Sequence, residues 1–305
     1  MRKIGLMIET TNRCNLKCTT CFSHQDGRAK EDMSLKNFIK LIKSNAGHIS
    51  HVSLYNYGEP LLNKSTIEMI RYAKKMGIRH VKLATNGTLL TDEKAMALVN
   101  SGLDYISISL DGASAGTYAQ FRIGGDFGLV VKNIERLVEI RNQAGTGLEI
   151  ELQFIIMSHN EHEIADIEAL ARKLKVDKLR LKTVLIKKSK WNYLLPKNNG
   201  YNRYAGAKEL KTCPKPIDEL VVNSDGTVIP CCYVVGKDAE KYRLGNIAQQ
   251  TLEEIMKSGA YSNFAGNCRS DKSLNSCCAG CNEGNLQLNY RVIHTCPPPI
   301  LYKRF

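Results

Sequence analysis

The sequence predicts an α/β fold, in which a parallel sheet curls into a partial (β/α)6 TIM-like barrel, followed by a small C-terminal α+β domain. Short β-branched or apolar runs alternate with amphipathic segments along the first part of the chain. Beyond it the alternation stops, and a hairpin pattern and a second group of Cys residues appear. We therefore expect a barrel over residues 1–185, a linker or substrate-side loop over 186–212 and the second domain over 213–305.

Six strands and five helices make up the predicted barrel. The strands are the runs at 3–10, 52–56, 80–84, 105–110, 148–157 and 178–184. The helices are the periodic segments at 35–43, 65–76, 92–100, 127–143 and 161–174. Residues typical of helix ends flank them, namely Ser34, Ser65 and Thr91 before helices and Gly77, Gly102 and Gly145 after helices. In the second domain, Thr251 and Glu254 form a capping box that predicts another helix.

The composition is that of a folded, enzyme-sized protein. With 305 residues, of which 43% are hydrophobic, the chain can bury one large core and a small appended unit. Glu9 interrupts the N-terminal apolar run, and no stretch approaches the roughly 20 apolar residues of a membrane span. We therefore expect a cytoplasmic protein without a membrane segment. Eleven Cys residues in such a reducing compartment suggest metal or redox chemistry rather than disulfides.

The net charge of +13, from 43 basic and 30 acidic residues, is compatible with nucleic acid, an anionic substrate or an acidic protein partner. The basic residues are scattered, and the densest run is 187–190 beside Trp191. No aromatic–glycine signature of an RNA-binding module accompanies them. A solvated basic surface is the simplest interpretation, and we expect no nucleic acid partner.

Three thiols follow the first predicted strand. Cys14, Cys18 and Cys21 are spaced so that one loop can wrap around an iron–sulfur cube. Three thiolates ligate three irons of a 4Fe–4S cluster and leave the fourth iron open, whereas a cluster built for electron transfer normally takes four Cys ligands. A zinc site and three unrelated thiols are the alternatives, although zinc sites usually combine C-x2-C pairs into a tetrahedron.

This C-x3-C-x2-C loop resembles that of the radical S-adenosylmethionine (SAM) superfamily. The resemblance implies that the open iron holds the amino and carboxylate groups of SAM. Gly58 and Glu59, after the second strand, resemble the family's glycine–glycine–glutamate segment for the SAM amino group, with Tyr57 in the place of the first Gly. Family members usually carry an aromatic residue just before the third Cys, whereas this chain has Thr20 there and Phe22 just after. The adenine contacts are therefore not assigned.

Polar residues near the carboxyl ends of the later strands are expected to meet at the same site. Asn86 follows the third strand, and the resemblance implies that Ser109, at the end of the fourth, holds the ribose or carboxylate of SAM. Gln153 and Lys182 are expected to line the barrel and bind the cofactor. Lys182 shares a basic inner face with Arg180, which suggests an anionic ligand group. Asn-Gly is also an ordinary turn sequence, so a purely structural role for Asn86 stays open.

Two charged residues are candidates for catalysis on the substrate side. Asp111 follows the fourth strand and is predicted to face the substrate, although Asp-Gly is also a common turn. Arg122 comes just before the next long helix. It is a candidate either for a bidentate clamp on a carboxylate or for a surface ion pair.

A second set of thiols lies beyond residue 212, at Cys213, Cys231, Cys278 and Cys281. Residues 220–229 predict a β-hairpin with Asp225 and Gly226 in its turn, which brings the first two of these Cys to neighbouring ends. The pattern C-x12-G-x4-C followed by C-x2-C resembles the auxiliary-cluster domains called SPASM and twitch. Because residues 282–295 contain no Cys, the shorter twitch form with one auxiliary 4Fe–4S cluster fits better. Structural zinc is the alternative for this site.

Four Cys remain unassigned, namely Cys232, Cys268, Cys277 and Cys296. A buried free Cys is often inert. Cys232 and Cys277 each adjoin a predicted ligand and are candidates to replace it or to face the active site. Cys232 is at the end of the hairpin that should face the barrel mouth, which makes it a candidate hydrogen donor.

The resemblance implies radical chemistry, in which a radical derived from SAM removes a hydrogen atom from an unactivated carbon. An auxiliary cluster with four Cys ligands would accept an electron from the substrate radical, which predicts an oxidation. Twitch-bearing enzymes of this size include dehydrogenases of aminocyclitols, so the resemblance implies a small hydroxylated substrate such as a sugar or aminocyclitol. A thiol that returns a hydrogen atom would instead make an epimerase. A maturase of a ribosomally made peptide and a non-catalytic iron–sulfur protein are the further alternatives. The expected reductant is an acidic flavodoxin or ferredoxin.

Overall fold

The structure is a computed structural model, and it describes residues 3–25, 27–206, 210–281, 283 and 290–295. The strands of the barrel are β1 (Ile4–Ile8), β2 (Ile49–Leu54), β3 (Val81–Thr85), β4 (Tyr105–Ser109), β5 (Glu149–Ile156) and β6 (Lys178–Thr183). The strands that follow are β7 (Glu219–Val222), β8 (Thr227–Ile229), β9 (Gly245–Asn246) and β10 (Tyr290–His294). Each of the six predicted strands is therefore present, with ends that differ by a few residues.

The helices are α1 (Leu35–Asn45), α2 (Thr66–Lys75), α3 (Asp92–Val99), α4 (Ala115–Phe121), α5 (Phe127–Ala144), α6 (Ile164–Lys173), α7 (Lys215–Asp218), α8 (Lys237–Lys241), α9 (Leu252–Lys257) and α10 (Gly259–Ser270). Short 3-10 turns include Phe22–His24, Pro60–Leu62 and Ser189–Leu194. The predicted helices of the barrel are confirmed. The short helix α4 and the C-terminal helix α10 were not predicted.

Helix caps explain several of these ends. The side chains of Ser34 and Thr91 accept hydrogen bonds from the backbone of the first turns of α1 and α3. The capping box of Thr251 and Glu254 opens α9 as the sequence predicted. Ser65 directly precedes α2 as the sequence predicted, although its backbone angles are already helical and its side chain makes no capping hydrogen bond.

Within the described residues the ten strands form one sheet, in the order β10-β6-β5-β4-β3-β2-β1-β7-β8-β9. Neighbouring strands from β1 to β6 are parallel, as expected for βα units in series. The hairpin strand β7 pairs in parallel with β1, and β10 pairs antiparallel with β6. The sheet is not closed, which confirms a partial barrel. The C-terminal region thus extends the barrel sheet at both edges.

The core lies between the sheet and the helices that cover one of its faces. Side chains on that face are fully buried, among them Leu6, Val52, Leu83, Ile106 and Leu152. Residues that alternate with them point to the inner face of the barrel. In β6 this alternation buries Leu179 and Leu181 and directs Arg180 and Lys182 inward. Polar groups are therefore collected on the inner face.

The segment after β6 covers the opening of the barrel beside the first Cys loop. Trp191 and Leu194 are buried in a small apolar cluster with Phe22 and Phe121. Tyr204 fastens the start of the segment, because its hydroxyl accepts a hydrogen bond from the Ile186 N–H at 2.7 Å. The predicted linker or substrate-side loop is therefore packed against the barrel over this part.

Candidate active site

A cavity of about 540 Å³ lies at the carboxyl ends of the barrel strands. Its wall contains Cys14, Cys18 and Cys21. The predicted cofactor residues Gly58, Glu59, Asn86, Ser109 and Gln153 are on the same wall. The fold therefore brings the loops after β1, β2, β3 and β4 to one place, as parallel α/β topology predicts.

The three thiols of the first loop fit an iron–sulfur cluster. The backbone N–H groups of Leu16 and Ser23 each donate to a sulfur, Cys14 Sγ and Cys21 Sγ respectively, at 3.4 Å. Burial raises the pKa of Cys14, and it raises the pKa of Cys21 to about 12. Without a cation these thiols are therefore protonated near neutral pH, and bound iron would supply the charge that stabilises the thiolates. Hydrogen bonds to sulfur are a usual feature of cluster sites.

Two side chains from later loops also reach these sulfurs. Arg122 Nη1 lies 3.7 Å from Cys18 Sγ. Asn86 Nδ2 lies 3.9 Å from Cys14 Sγ and donates to Asn15 Oδ1 at 2.9 Å. The Asn86 side chain thus joins the loop after β3 to the Cys loop. A structural role for Asn86 is visible, and a SAM contact by this residue remains a prediction.

The Gly58–Glu59 turn lies against the start of the Cys loop. The N–H of Glu59 donates to Arg13 O at 2.8 Å. Its buried carboxylate accepts from Thr85 Oγ1 and the Asn86 N–H, both at 2.7 Å, and from the Leu61 N–H at 3.1 Å. Burial raises the pKa of Glu59, and these hydrogen bonds oppose the rise. The Glu59 side chain therefore holds the loops after β2 and β3 together.

Ser109 and Gln153 are neighbours on the cavity wall. Gln153 Nε2 lies 3.5 Å from Ser109 Oγ, across the register of β4 with β5. Their hydroxyl and amide groups face the space next to the three Cys. They are therefore placed to hydrogen-bond a polar ligand, as the sequence predicted for SAM.

The structure places Asp111 beneath Arg122 and not on the cavity wall. The Asp111 side chain is fully buried, and its Oδ2 accepts from Arg122 Nε at 2.6 Å. Its Oδ1 accepts from the Ile155 N–H at 2.7 Å. The expected orientation of Asp111 towards the substrate is thus not seen, because both of its oxygens are occupied. Arg122 is on the wall, but Asp111 already takes the Nε edge of its guanidinium that would form a bidentate clamp.

The two predicted basic residues of β6 differ in their surroundings. Arg180 forms an ion pair with the buried Glu151 at 2.8 Å. Lys182 lies on the cavity wall, and burial lowers the pKa of its ammonium group, with Arg203 and Arg180 adding repulsion. The basic inner face predicted from the sequence is therefore present, although one of its two charges is neutralised.

Aromatic rings cover the first Cys loop from the other side. Phe22 packs edge-on against Tyr57, with ring centroids 5.8 Å apart, and against Trp191 at 6.2 Å. All three are on the cavity wall. The sequence departs from the family pattern at Thr20, which replaces an aromatic residue, and at Tyr57, which replaces a Gly. Phe22, the aromatic residue just after the third Cys, contacts Tyr57, and Thr20 is on the same cavity wall.

In the second set of thiols, Cys213 lies beside the C-terminal Cys pair. Burial raises the pKa of Cys213, and the charges of Cys281 and Cys278 raise it further, so these thiols are neighbours. The buried Lys272 ammonium donates to Cys278 O at 2.9 Å and to Cys281 O at 2.8 Å. This cation holds the C-x2-C turn in place. Whether this set holds iron–sulfur or zinc depends on the domain identity described below.

Two of the unassigned thiols adjoin this set. Cys268 is fully buried, and Asn275 Nδ2 donates to its sulfur at 3.5 Å. Cys277 Sγ lies 3.8 Å from Cys278 Sγ. Hydrogen bonds from Cys268 and Cys277 lower the pKa of Cys278. The fourth unassigned residue, Cys296, lies outside the described residues.

Cys232 connects the second set to the cavity. It lies on the cavity wall, and its backbone oxygen accepts a hydrogen bond from Tyr57 Oη at 3.0 Å. A hydrogen bond from Cys231 lowers the pKa of the Cys232 thiol, and the charge of Lys215 contributes in the same direction. The predicted position of the hairpin end at the barrel mouth is thus seen in the structure.

Sequence reasoning missed several residues of the wall, namely Tyr55, Lys187, Lys215 and Tyr233. They come from the loop after β2, the segment after β6 and the region around the second Cys set. Only the cluster of basic and aromatic residues at 187–191 gave a signal in the sequence. Tyr55 directly follows β2 of the barrel. Lys215 and Tyr233 flank the hairpin and are brought to the cavity by the pairing of β7 with β1, which the sequence alone does not specify.

Comparisons with known proteins identify the family. The sequence model of the Radical SAM superfamily matches residues 8–174, more than half of the chain, and the model of SPASM, an iron–sulfur cluster-binding domain, matches residues 213–282. The chain therefore belongs to the radical SAM superfamily and is an enzyme. Its cofactors are a 4Fe–4S cluster and SAM, with auxiliary iron–sulfur chemistry in the SPASM domain. Enzymes of this superfamily act on small molecules or peptides.

Individual curated relatives have low sequence identity to this chain. The tungsten-containing aldehyde ferredoxin oxidoreductase cofactor-modifying protein of Pyrococcus furiosus is 25% identical over 293 residues, covering 85% of this chain and 82% of the relative. Other curated relatives match over 171 residues, and the chain spans about half or less of their length.

Solved structures share the fold. The native anSMEcpe structure with bound AdoMet and Kp18Cys peptide has a TM-score of 0.66 at 23% identity, covering 86% of this chain and 82% of that chain. BtrN in complex with AdoMet and 2-DOIA has a TM-score of 0.59 at 17% identity, covering 92% and 94%. In the described part of our structure, none of the helices has the length and apolar character needed to span a bilayer.

Proposed function

We propose that this chain is a radical SAM oxidoreductase that dehydrogenates a small hydroxylated substrate, such as a sugar or aminocyclitol. The proposed ligands of the SAM-binding cluster are Cys14, Cys18 and Cys21. The proposed ligands of one auxiliary 4Fe–4S cluster are Cys213, Cys231, Cys278 and Cys281. When bound, the first cluster would supply one electron to break a carbon–sulfur bond of SAM, which releases methionine and a 5′-deoxyadenosyl radical that removes a hydrogen atom from the substrate, and the auxiliary cluster would accept one electron from the substrate radical.

This proposal rests on the observation that one cavity extends from the first Cys set to Cys232, which adjoins the second. One wall contains the three Cys of the barrel and also Cys232, whose neighbour in sequence is the proposed ligand Cys231. A substrate in this cavity would lie between the two Cys sets. Hydrogen removal at one end and electron removal at the other can then act on the same molecule, and the net reaction is an oxidation.

The protein itself would bind, orient and shield the reactants. Asn86, Ser109 and Gln153 offer hydrogen bonds for SAM beside the first Cys set. Asp111 holds Arg122 against the cavity, where its Nη1 lies next to Cys18 Sγ. The apolar cluster around Trp191 excludes water from one side. A flavodoxin or ferredoxin is the proposed reductant, which the net charge of +13 supports.

The size of the site supports a small substrate. The cavity of about 540 Å³ adjoins a second of about 620 Å³, each within the range of about 300–1,000 Å³ that is usual for small-molecule sites. Together they have room for SAM and one small molecule. The BtrN structure contains 2-DOIA, and the anSMEcpe structure contains a peptide, so the shared fold is compatible with either class.

An epimerase is the second candidate, and the position of Cys232 favours it. Cys232 is a residue of the cavity wall, and we propose that its thiol returns a hydrogen atom to a carbon radical. The thiol hydrogen exchanges with solvent. An epimerase would therefore carry solvent hydrogen into the product, whereas a dehydrogenase would not.

Turnover in deuterium oxide tests the proposal. We would incubate the anaerobically reconstituted protein with dithionite, SAM and a panel of sugars and aminocyclitols, and analyse the products by mass spectrometry and NMR. We expect a product that lacks two hydrogens and has no deuterium on carbon, and we expect Cys232→Ser to stay active. Deuterium on carbon in the wild type that is absent with Cys232→Ala would overturn dehydrogenation in favour of epimerisation.

A further inference from the structure

The two cavities adjoin each other, and we call the boundary that they share the neck. Both walls contain the same six residues, namely Tyr55, Ala84, Gln153, Lys182, Lys215 and Tyr233. On one side of the neck lies the cavity with the three Cys of the barrel. On the other side lies the 620 Å³ cavity along the inner face of the sheet. A ligand that extends from one cavity into the other must pass these side chains.

Most charges near the neck are paired inside the protein. Arg180 binds Glu151 at 2.8 Å, and the Glu151 side chain is 1% exposed. Arg203 binds Glu283 at 3.0 Å, and both side chains are 7% exposed. The acidic groups on this inner face therefore already have basic partners.

Two ammonium groups of the neck differ from this pattern. Among the residues that the structure describes, neither Lys182 nor Lys215 has an ion-pair or hydrogen-bond partner. Lys215 Nζ instead lies 5.3 Å from the centre of the Tyr233 ring. Lys182 is half-buried, and the positive charges nearest to it are Arg203 and Arg180, which repel it and lower its pKa. Lys182 is therefore a confined cation with no anion bonded to it in the described part of the chain, which is costly for the folded protein. The carboxylates of Glu219 and Glu283, in contrast, lie near enough to Lys215 to help stabilise its charge.

A ligand with an anionic oxygen group would remove this cost. Two lysines from different elements, β6 and α7, would donate to its oxygens, and Gln153 and the Tyr hydroxyls could add neutral hydrogen bonds. Carboxylate and phosphate are the groups that form such charge-assisted hydrogen bonds. The pairing of neighbouring arginines with Glu151 and Glu283 leaves the lysines as the positive charges offered to the ligand.

SAM also has a carboxylate, and the position of the neck separates the two possible sources. Gly58, Asn86 and Ser109, three of the proposed SAM contacts, line the first cavity and are not on the wall of the second, whereas Gln153 and Lys182, which were also predicted to contact SAM, belong to the neck. The neck instead opens into the second cavity, on the side away from these residues. We propose that Lys182 and Lys215 bind a carboxylate or phosphate group of the substrate. This inference rests on the proposed function and narrows its substrate to a small hydroxylated molecule that also carries a carboxylate or phosphate, as a sugar acid or sugar phosphate does and an unmodified sugar or aminocyclitol does not.

Binding measurements with two probes test it. The anaerobically reconstituted full chain would be titrated with inorganic phosphate, followed by ³¹P line broadening, and separately with SAM, followed by calorimetry. We expect Lys182→Met and Lys215→Met each to raise the phosphate Kd by about tenfold or more, since each removes a hydrogen bond between charged groups. The SAM Kd should stay within about twofold, and Lys182→Arg should retain phosphate binding.

Lys82→Met is the matched control. Lys82 lines the second cavity but not the neck, so this variant makes the same change of charge at a nearby position. It should alter the phosphate Kd much less than the neck variants. Equal effects of all three variants, or no phosphate binding by the wild type, would overturn the neck as the site. A parallel rise of the SAM Kd in the neck variants would assign the lysines to the SAM carboxylate. If SAM cleavage by the variants is unchanged, each of these results contradicts only the assignment of the neck and does not contradict the proposed function.

Discussion

At the scale of single residues, Gly58 shows how closely two loops are packed. Its φ is +98°, a conformation that L side chains rarely adopt, and a Cβ here would lie 2.1 Å from Thr11 O and 2.9 Å from Arg13 O. Both oxygens belong to the backbone that leads into Cys14. A side chain at position 58 must therefore displace the first Cys loop or the turn that carries Glu59.

Adopting a left-handed backbone conformation costs an L-residue other than Gly about 1–2 kcal/mol. Gly58→Ala should lower the free energy of unfolding by more than this amount, because a clash with the backbone adds to the conformational cost. It should also weaken SAM binding, since the displaced loop forms the cavity wall. Denaturant unfolding and SAM calorimetry of the reconstituted protein measure the two effects. Gly47→Ala is the control, because a Cβ there would meet nothing within 4 Å. Equal losses in the two variants would contradict the packing argument.

Single residues also show where sequence reasoning stops. The spacing of Cys14, Cys18 and Cys21 was enough to predict that they share one wall, because a short loop after a strand has little freedom. Asp111 was placed at the correct strand end, but its direction was not predictable. That direction is decided by Arg122, which comes from the end of a helix that has no clear signal in the sequence.

At the scale of elements, the pair of Asp111 and Arg122 joins three parts of the fold. Asp111 follows β4, Arg122 ends α4, and the Ile155 N–H belongs to β5. The two side chains are 0% and 12% exposed. Removing one partner of such a buried pair leaves the other charge without compensation, which is more costly than losing an exposed ion pair.

Asp111→Asn should therefore destabilise the protein by about 3–5 kcal/mol and slow SAM cleavage, because Arg122 would lose its orientation towards Cys18. Unfolding by denaturant and the rate of 5′-deoxyadenosine formation are the measurements. Asp92→Asn is the matched control, since Asp92 pairs with Arg136 on the surface at 2.8 Å and should change stability little. If both variants unfold alike, Asp111 does not hold Arg122 in the way that the distances indicate.

The regular elements of the barrel were predictable because their apolar periodicity is long and regular. The element α4 was missed because its seven residues, Ala115–Phe121, span about two turns and contain few apolar positions. The strand β10, Tyr290–His294, was missed for a different reason. The strand β10 forms by pairing with β6. A run of five residues does not reveal its pairing partner in the sequence, because the partner is brought next to it only when the chain folds.

At the scale of the whole molecule, the C-terminal region shares the sheet of the barrel. The strand β7 continues the sheet beyond β1, and β10 continues it beyond β6. The sequence predicted two domains in series, and the hairpin within the second is confirmed. The edge of the barrel sheet with which that hairpin pairs depends on contacts between residues that are far apart in the sequence. This pairing places Cys231 and Cys232 beside the barrel cavity, and it is why the candidate site draws on both ends of the chain.

The two Cys sets should nevertheless hold their iron independently, because they lie on different loops. We expect about eight irons per chain in the reconstituted wild type, the sum of two four-iron clusters. Replacing Cys14, Cys18 and Cys21 with Ala should reduce this to about four and abolish the conversion of SAM to 5′-deoxyadenosine and methionine. Replacing Cys213, Cys231, Cys278 and Cys281 with Ala, the complementary variant, should also retain about four irons but keep SAM cleavage.

Metal analysis separates the alternatives for the second set. One zinc with about four irons would make the C-terminal thiols a structural zinc site, and about twelve irons would mean that Cys268, Cys277 or Cys296 helps to hold a further cluster. Undiminished SAM cleavage in the triple variant would contradict the assignment of the first set. The structure favours independence, since the N–H groups aimed at Cys14 and Cys21 come from Leu16 and Ser23, whereas the cation that fixes the C-x2-C turn is Lys272. Each set therefore keeps its supporting hydrogen bonds when the other is removed.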